Sequence, residues 1–502
     1  MTGCPFNHEP EAPDGGSGPS AVGSAGAAVA SSGAAVGSSG AAVGSPGAAA
    51  GSSGAAVGSA SAAAGSASAG AGSASEPTKR GFSRRGLLSL AGIGGAGAVA
   101  GLAAGYLGHD AVAAAAAPAA APGSVVPFYG ERQAGIVTPA QDRLHMAAFD
   151  VTVEDRAAVI KLLKDWTAAA EAMTAGRTTG VTGAVDGPYD APPEDTGEAL
   201  DLGAGNLTLT FGFGPSFFEK DGKARFGLQG RRPDALIDLP HFPGDALQPE
   251  RTGGDLVVQA CADDPQVAVH AIRNLARIGF GNVRVRWSQL GFGRTSSTSR
   301  AQATPRNLFG FKDGSANLKS EDTSLLDDHV WATAGTRPGE AWMAGGSYLV
   351  SRRIRMLIEI WDRTSLREQE GLIGRTKGAG APLSGGEEFS APDFGIKGRD
   401  GGPLIPFDSH VRLAHADQNN GVKMLRRGYN YTDGSDGLGH LDAGLFFIAF
   451  VKDPRTHYVP MQMAMAKSDR LALEYLKHTG SGLFAVPPGF KPGGFVGDGL
   501  FT

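Results

Sequence analysis

Cysteine is nearly absent from this chain: Cys4 and Cys261 are the two in 502 residues. Two cysteines build neither a disulfide framework nor a thiolate metal site. Cys261 closes the apolar run LVVQAC and reads as a buried strand residue, while Cys4 stands near His8 in CPFNH. No HExxH occurs and no cysteine pair is spaced for zinc, so a metal caged by protein side chains is not expected. The folded part has no basic block and the net charge is −5, so nothing points to nucleic acid. Large apolar residues are missing from Ala21–Ser75, where GSSGAAV, GSPGAAA and GSASAAA recur with a period of seven. A coiled coil needs large apolar a and d residues, so the period does not make one. Residues 1–80 read as a disordered Ala/Gly/Ser-rich arm.

Residues 81–123 read as an export segment. Ser83-Arg84-Arg85-Gly86-Leu87-Leu88 resembles the twin-arginine signal, an address for export of folded proteins. A mild, Gly-rich apolar stretch follows, with A-x-A-type sites in Ala111–Ala121. Roughly 20 apolar residues are enough to span a bilayer. The paired arginines and weak hydrophobicity favour export over an anchor. The expectation is a secreted, extracytoplasmic or envelope-associated protein with no stable membrane insertion once the signal is removed.

The remaining residues are long enough for two domains. Residues 142–152 alternate as a strand and 153–175 have helical spacing. Strand 206–213 is followed by strand 255–262, helix 265–278 and strand 283–291. This is a β-α-β…β-α-β order, the ferredoxin-like plan. A second round follows: strand 347–361, helix 365–374, a Gly-rich loop over 375–399, strands 410–414 and 444–452, and helical spacing over 460–478. The fold class is therefore α+β, with duplicated ferredoxin-like halves over 124–318 and 319–502, each an antiparallel sheet with flanking helices. A crevice made by two such halves is a common place for a ligand.

Most of the eleven histidines are set aside. His8 and His109 lie in the arm and signal; His145, His270, His457 and His478 read as hydrogen-bonded structural residues. His410 differs, entering PFDSHVRLAH ahead of Val411, Arg412 and Leu413. Arg426 and Arg427 follow in MLRRGYNY, and a guanidinium aimed into an apolar crevice is a fixed charge with a fork of donors. Asp313 lies in NLFGFKDGSANL among Leu308, Phe309 and Phe311, flanked by Gly310 and Gly314. A carboxylate in such a turn is costly unless hydrogen-bonded or used. A lone imidazole holds haem iron axially, and a carboxylate with a guanidinium on the other face handles a peroxide's proton and charge.

Together these stretches resemble the dye-decolourising peroxidase family, in its exported, deferrochelatase-like branch. The matching segments are YGERQAGIVTPAQ (129–141), NLFGFKDGSANL with its G-x-x-D-G, GLIGRTKGAGAPL (371–383), DSHVRLAH (408–415), MLRRGYNY (424–431) and GLFFIAFVKDPR (444–455). They occur in the family's order and the resemblance covers roughly 125–497. It implies haem b (iron protoporphyrin IX) as cofactor in a crevice, with His410 as proximal iron ligand. Asp313 is implied as the acid/base and Arg426 as charge stabiliser. Gly314, Ser315 and Ala316 match a segment along the haem edge, and Leu445 and Phe447 match the apolar wall of the distal side. Related enzymes read Asn-Pro-Arg five residues after the histidine, where this chain has His415-Ala416-Asp417. Arg412 or Lys423 then stands as substitute for the haem-propionate contact there, beside His415. An acid is expected behind the proximal imidazole, Asp469 or Asp453.

The implied activity is reduction of hydrogen peroxide with oxidation of dyes or other small-molecule reductants. Electrons from bulky substrates are expected to travel through Tyr429, Tyr431, Trp331 or Trp361. The alternative is an exported haem-binding protein that releases iron from haem. The sequence leaves the oligomeric state open, with a homodimer as one option.

Overall fold

The computed structural model describes residues 124–502. The low-complexity arm and the twin-arginine segment lie outside the described residues.

Strand β1 (Arg143–Val151) shows why the sequence pattern works. Leu144, Met146 and Ala148 enter one apolar cluster, while Ala147, Phe149 and Val151 enter another. Successive side chains on a strand point to opposite faces, so a strand covered on both sides is apolar throughout. Helix α1 (Arg156–Thr174) starts where the Asp155 carboxylate accepts the Ala158 N–H at 2.9 Å. Strands β2 (Thr208–Phe213) and β3 (Leu256–Ala262) follow, with Cys261 fully buried in β3 as expected. Helix α2 (Pro265–Ile278) is capped by Asp264 and opens on proline, a residue suited to the first helical turn. Strand β4 (Val283–Arg294) completes the first round.

The second round comprises strand β5 (Ser347–Met356), helix α3 (Leu366–Ile373), helix α4 (His410–Leu413), the short strand β6 (Leu425–Arg426), strands β7 (Tyr429–Ser435) and β8 (Leu441–Val451), helices α5 (Val459–Ser468) and α6 (Arg470–Tyr475), and strand β9 (Leu476–Val486). The sheet runs β5-β9-β2-β3-β1-β4-β7-β8-β6, and β5 also pairs with β8. Each round therefore contributes its second, third, first and fourth long strands in that spatial order. This is the duplicated ferredoxin-like plan. The two rounds join edge to edge, through Phe292↔Asn430 on one side and Ala485↔Phe213 on the other, into one closed antiparallel sheet. Among the described residues, closure leaves no long exposed strand edge. Tyr429, Tyr431, Phe446, Phe450 and Phe484 fill one core cluster on one face, and a second cluster holds α1 and α2 against the other.

Three expected elements change. The strand expected over 347–361 stops at Met356, because Leu357 turns to donate its N–H to Tyr475 O at 2.9 Å and Ile358–Trp361 coils. The helix expected over 460–478 is interrupted at Asp469, which caps α6, and residues from Leu476 onward are strand β9. Residues 410–414 are not a strand but the single turn α4, in which Leu413 and Ala414 donate back to Ser409 O and His410 O. Two apolar residues in four positions cannot separate a period of 2 from one of 3.6. Among the described residues, no helix is long and apolar enough to cross a membrane.

Candidate active site

A cavity of about 560 Å³ lies between the sheet of the second round and helices α4 to α6. Its sheet wall alternates as β-structure requires: Arg352, Ile354 and Met356 from β5, Leu445 and Phe447 from β8, and Leu476 and His478 from β9. Its helix wall includes His410, Val411, Met461, Met465 and Leu471. The segment connecting the two rounds supplies a third wall, from Asn307 through Leu325. The cavity therefore belongs to the second round and the connecting segment, not to the seam between the sheets, which is hydrogen-bonded and packed.

On the helix side, His410 Nδ1 lies 2.6 Å from Asp469 Oδ2. Asp469 is fully buried, and its other oxygen accepts the Leu471 N–H at 3.0 Å. Burial pulls the imidazole down most strongly, but the charge and hydrogen bond of Asp469, with Asp313 adding, together hold His410 above its ordinary value, while Arg426 opposes the rise. The ring's second nitrogen, Nε2, stays available. Of the two acids expected behind this histidine, Asp469 is the one in contact. Asp453 instead caps the turn Pro454–His457 and pairs with Arg455.

On the wall formed by the connecting segment and β6, Arg426 Nη1 donates to Asp313 Oδ1 at 2.9 Å, and Asn307 Nδ2 donates to Oδ2 at 3.2 Å. Gly310 and Gly314 carry φ of +81° and +87°. A Cβ on Gly314 would also lie 3.0 Å from Ser296 Cα, so this turn needs glycine twice over. Asn317 had no assigned role in the sequence. Its amide donates to Arg426 O at 2.8 Å, its oxygen accepts Arg426 N–H at 2.8 Å, and its amide also meets Ser297 O at 3.1 Å. A side chain thus acts as a one-residue strand against β6. The only signal for it was its position four residues after Asp313.

Gly314, Ser315, Ala316, His415, Leu445 and Phe447 all line the cavity. Arg412 does not: its guanidinium donates to the carbonyls of Phe394 and Ile405 and lies over the rings of Phe394 and Phe407. The α4 turn places residue 412 on the face opposite His410 and Val411, which a strand reading could not anticipate. Glu388 and Arg375 also border the cavity without having been singled out. Burial lowers Lys319, with Arg426 adding to it, and burial lowers Arg375 against the pull of Glu388.

Of the histidines read as structural, His270 bonds Asp195 at 2.9 Å and His457 meets His329 at 3.3 Å. His145 Nδ1 is buried without a partner, and burial pulls that ring down to about 4. His478 lines the cavity, and burial beside Arg352 pulls it down to about 3. The four aromatics differ in surroundings. Tyr429 and Tyr431 are fully buried and their hydroxyls have no partner. Trp331 lies under Arg132, while Trp361 stacks on Phe309 of the cavity wall at 4.2 Å and meets Tyr475 edge-on at 5.3 Å.

The donor set fits a flat metal macrocycle. A single imidazole with its far nitrogen tied to a buried acid faces an apolar chamber, and among the described residues no group of three or more His, Cys, Asp or Glu side chains is placed to cage an ion. Family models decide the matter. Residues 133–293 match the N-terminal model of the Dyp-type peroxidases and residues 304–491 the C-terminal one. The chain belongs to the Dyp-type peroxidase family. It is 37% identical to a dye-decolorizing peroxidase of Thermobifida fusca over 379 residues, 73% of this chain and 83% of that protein. It is 36% identical to the deferrochelatase of Escherichia coli K12 over 392 residues, 76% of this chain and 90% of that protein. The solved structure of ferric DtpA from Streptomyces lividans is 40% identical, with a TM-score of 0.68 over 76% of this chain and 97% of its own. This Dyp-type peroxidase is a haem enzyme whose substrates are a peroxide and a reductant.

Proposed function

We propose that this peroxidase reduces hydrogen peroxide at haem b held by His410, with Asp313 and Arg426 as its working groups. One observation carries the reading: an imidazole tied to a buried carboxylate, His410–Asp469, and a carboxylate–guanidinium pair, Asp313–Arg426, border the same apolar cavity. Haem supplies the redox centre at which peroxide takes up two electrons. His410 Nε2 holds it, and Asp469 makes that nitrogen a better donor. Asp313 takes the proton of one peroxide oxygen and returns it to the departing one, as general base and then acid. Arg426, held by Asn317, is already in position where negative charge develops, so no reorganisation is needed. Leu445 and Phe447 exclude water and keep that field strong. Gly314, Ser315 and Ala316 let the backbone approach the macrocycle edge. Dyes too bulky for the cavity give electrons through Trp361, whose stack on Phe309 touches the cavity wall. Export by the twin-arginine route, to a secreted or envelope-associated site, follows from Ser83–Leu88. The test is peroxide-driven dye oxidation by Asp313→Ala and Arg426→Ala. Both variants are expected to keep haem and lose turnover; full rates in both would remove the assigned roles.

A second reading is favoured by the similarity to proteins named deferrochelatase. Incubation with haem and a search for metal-free porphyrin tests it; absence of that product leaves peroxidase activity alone.

A further inference from the structure

The thioethers of this chain are unevenly placed. It has nine methionines, and Met356, Met424, Met461 and Met465 line the cavity, whereas Met146, Met173 and Met343 are buried in the cores. Met461 and Met465 stand four residues apart on α5, so they share one face of the helix. That face belongs to the wall that carries His410. Met463 lies between them in sequence but outside the lining, and it is more exposed than Met461. Met461, 7% exposed, is therefore turned to the chamber and away from bulk water.

Leucine would fill such a wall as well as methionine does. What methionine adds is a polarisable thioether, which is oxidised to the sulfoxide. We propose that Met461 and Met465 are modification sites of this peroxidase: when peroxide is consumed without a reductant, their thioethers become sulfoxides. The step balances with no further reagent. Sulfur gives up two electrons and gains one oxygen, the O–O bond takes those electrons and breaks, and one water leaves. Each thioether thus disposes of one peroxide that would otherwise be spent on the macrocycle or on the aromatic residues around it. The inference rests on haem occupying this cavity, and it adds the acceptors used when the reductant runs short.

The test gives the haem-loaded full chain a few equivalents of hydrogen peroxide, with and without excess reducing dye, and maps its peptides by mass. Without dye, Met461 and Met465 should each gain the mass of one oxygen while Met463 stays unmodified; with dye, the gain should fall. Apoprotein given the same peroxide should oxidise Met463 ahead of Met461, because oxidation from bulk solution follows exposure. Met463 modified ahead of Met461 in the haem-loaded chain, equal gains in the apoprotein, or gains that ignore the dye would each overturn the proposal. Dye oxidation that leaves both methionines intact in the dye-free arm would overturn it alone. A haem-loaded chain inert toward peroxide and dye would remove the peroxidase reading beneath it as well. Met461→Leu combined with Met465→Leu nearly conserves volume, and should lower the peroxide tolerated before the Soret band is lost by about two equivalents, one per thioether. An unchanged tolerance would overturn the protective role.

Discussion

Two sides of the cavity each use an aspartate, for opposite ends. On the helix side, Asp469 is completely buried and both its oxygens are committed, one to His410 and one to the Leu471 N–H. On the sheet side, Asp313 is 15% exposed and shares its oxygens with an arginine and an asparagine that also reach the cavity. A carboxylate locked by two donors and shut off from the chamber can only orient and polarise its partner. A carboxylate on the chamber surface, next to a guanidinium, can exchange a proton with what enters. On the proposed mechanism, burial more than residue type separates the holding acid from the working acid.

The comparison makes an ordered set of predictions. His410→Ala should have the largest effect, removing the Soret band or weakening haem binding so far that purified protein is colourless. Asp313→Ala and Arg426→Ala should retain the band but lower kcat/KM for peroxide by roughly 10²–10⁴. Asp469→Ala should fall between classes: haem affinity drops by about 10–100-fold, with the reduction potential moving upward as His410 becomes a poorer donor. The measurement is haem titration beside potentiometry. If Asp469→Ala lowered turnover while leaving affinity and potential untouched, the division into a holding and a working wall would fail. Asn317→Asp should give a smaller loss, about tenfold in kcat, because the Arg426 N–H keeps its acceptor while Arg426 O loses its donor. An unchanged kcat would show that β6 alone positions the arginine.

The sheet side was legible in part. The glycines around Asp313 marked a turn, which the structure forms with positive φ at Gly310 and Gly314. The stretch alone left a solvated turn open, and the role of Asp313 came from the family resemblance. The duplicated order of strands was legible too, since alternation survives wherever one element faces two cores. The helix side was harder. Residues 410–413 are too short for periodicity to assign, so the direction of Arg412 was lost with the turn. Strand β9 was hidden because LKHTGSGLFAV carries glycine at the positions where β5 approaches, with Gly482 tight against Ser351 Oγ. Asp469 could be named but not chosen over Asp453, since contact between α4 and α6 depends on how two one-turn segments pack. Asn317 was invisible because its partner is the backbone of a residue 109 positions away.

A third carboxylate sharpens the comparison from the sheet side. Glu388 pairs with Lys312 and accepts from Ser315 Oγ at 3.1 Å, tying residues on both sides of Asp313–Gly314 to the loop after α3. Burial alone would raise the Glu388 carboxyl, yet hydrogen bonds from Lys312, Thr304 and Ser315 carry it below the ordinary range. A carboxyl whose folded-state pKa is depressed contributes stability above its unfolded value, and that contribution is lost as pH falls through the folded one. Glu388→Gln should therefore cost about 1 kcal/mol at pH 7 and progressively less below about pH 4, read as the difference in Tm between the two chains. Because Glu388 fastens the turn without touching the Asp313 carboxylate, the variant should soften the sheet wall and leave haem retention alone. A Tm difference that stayed constant into acid would mean that Glu388 packs as a neutral side chain, and the sheet wall would then rest on Arg426 and Asn317 alone.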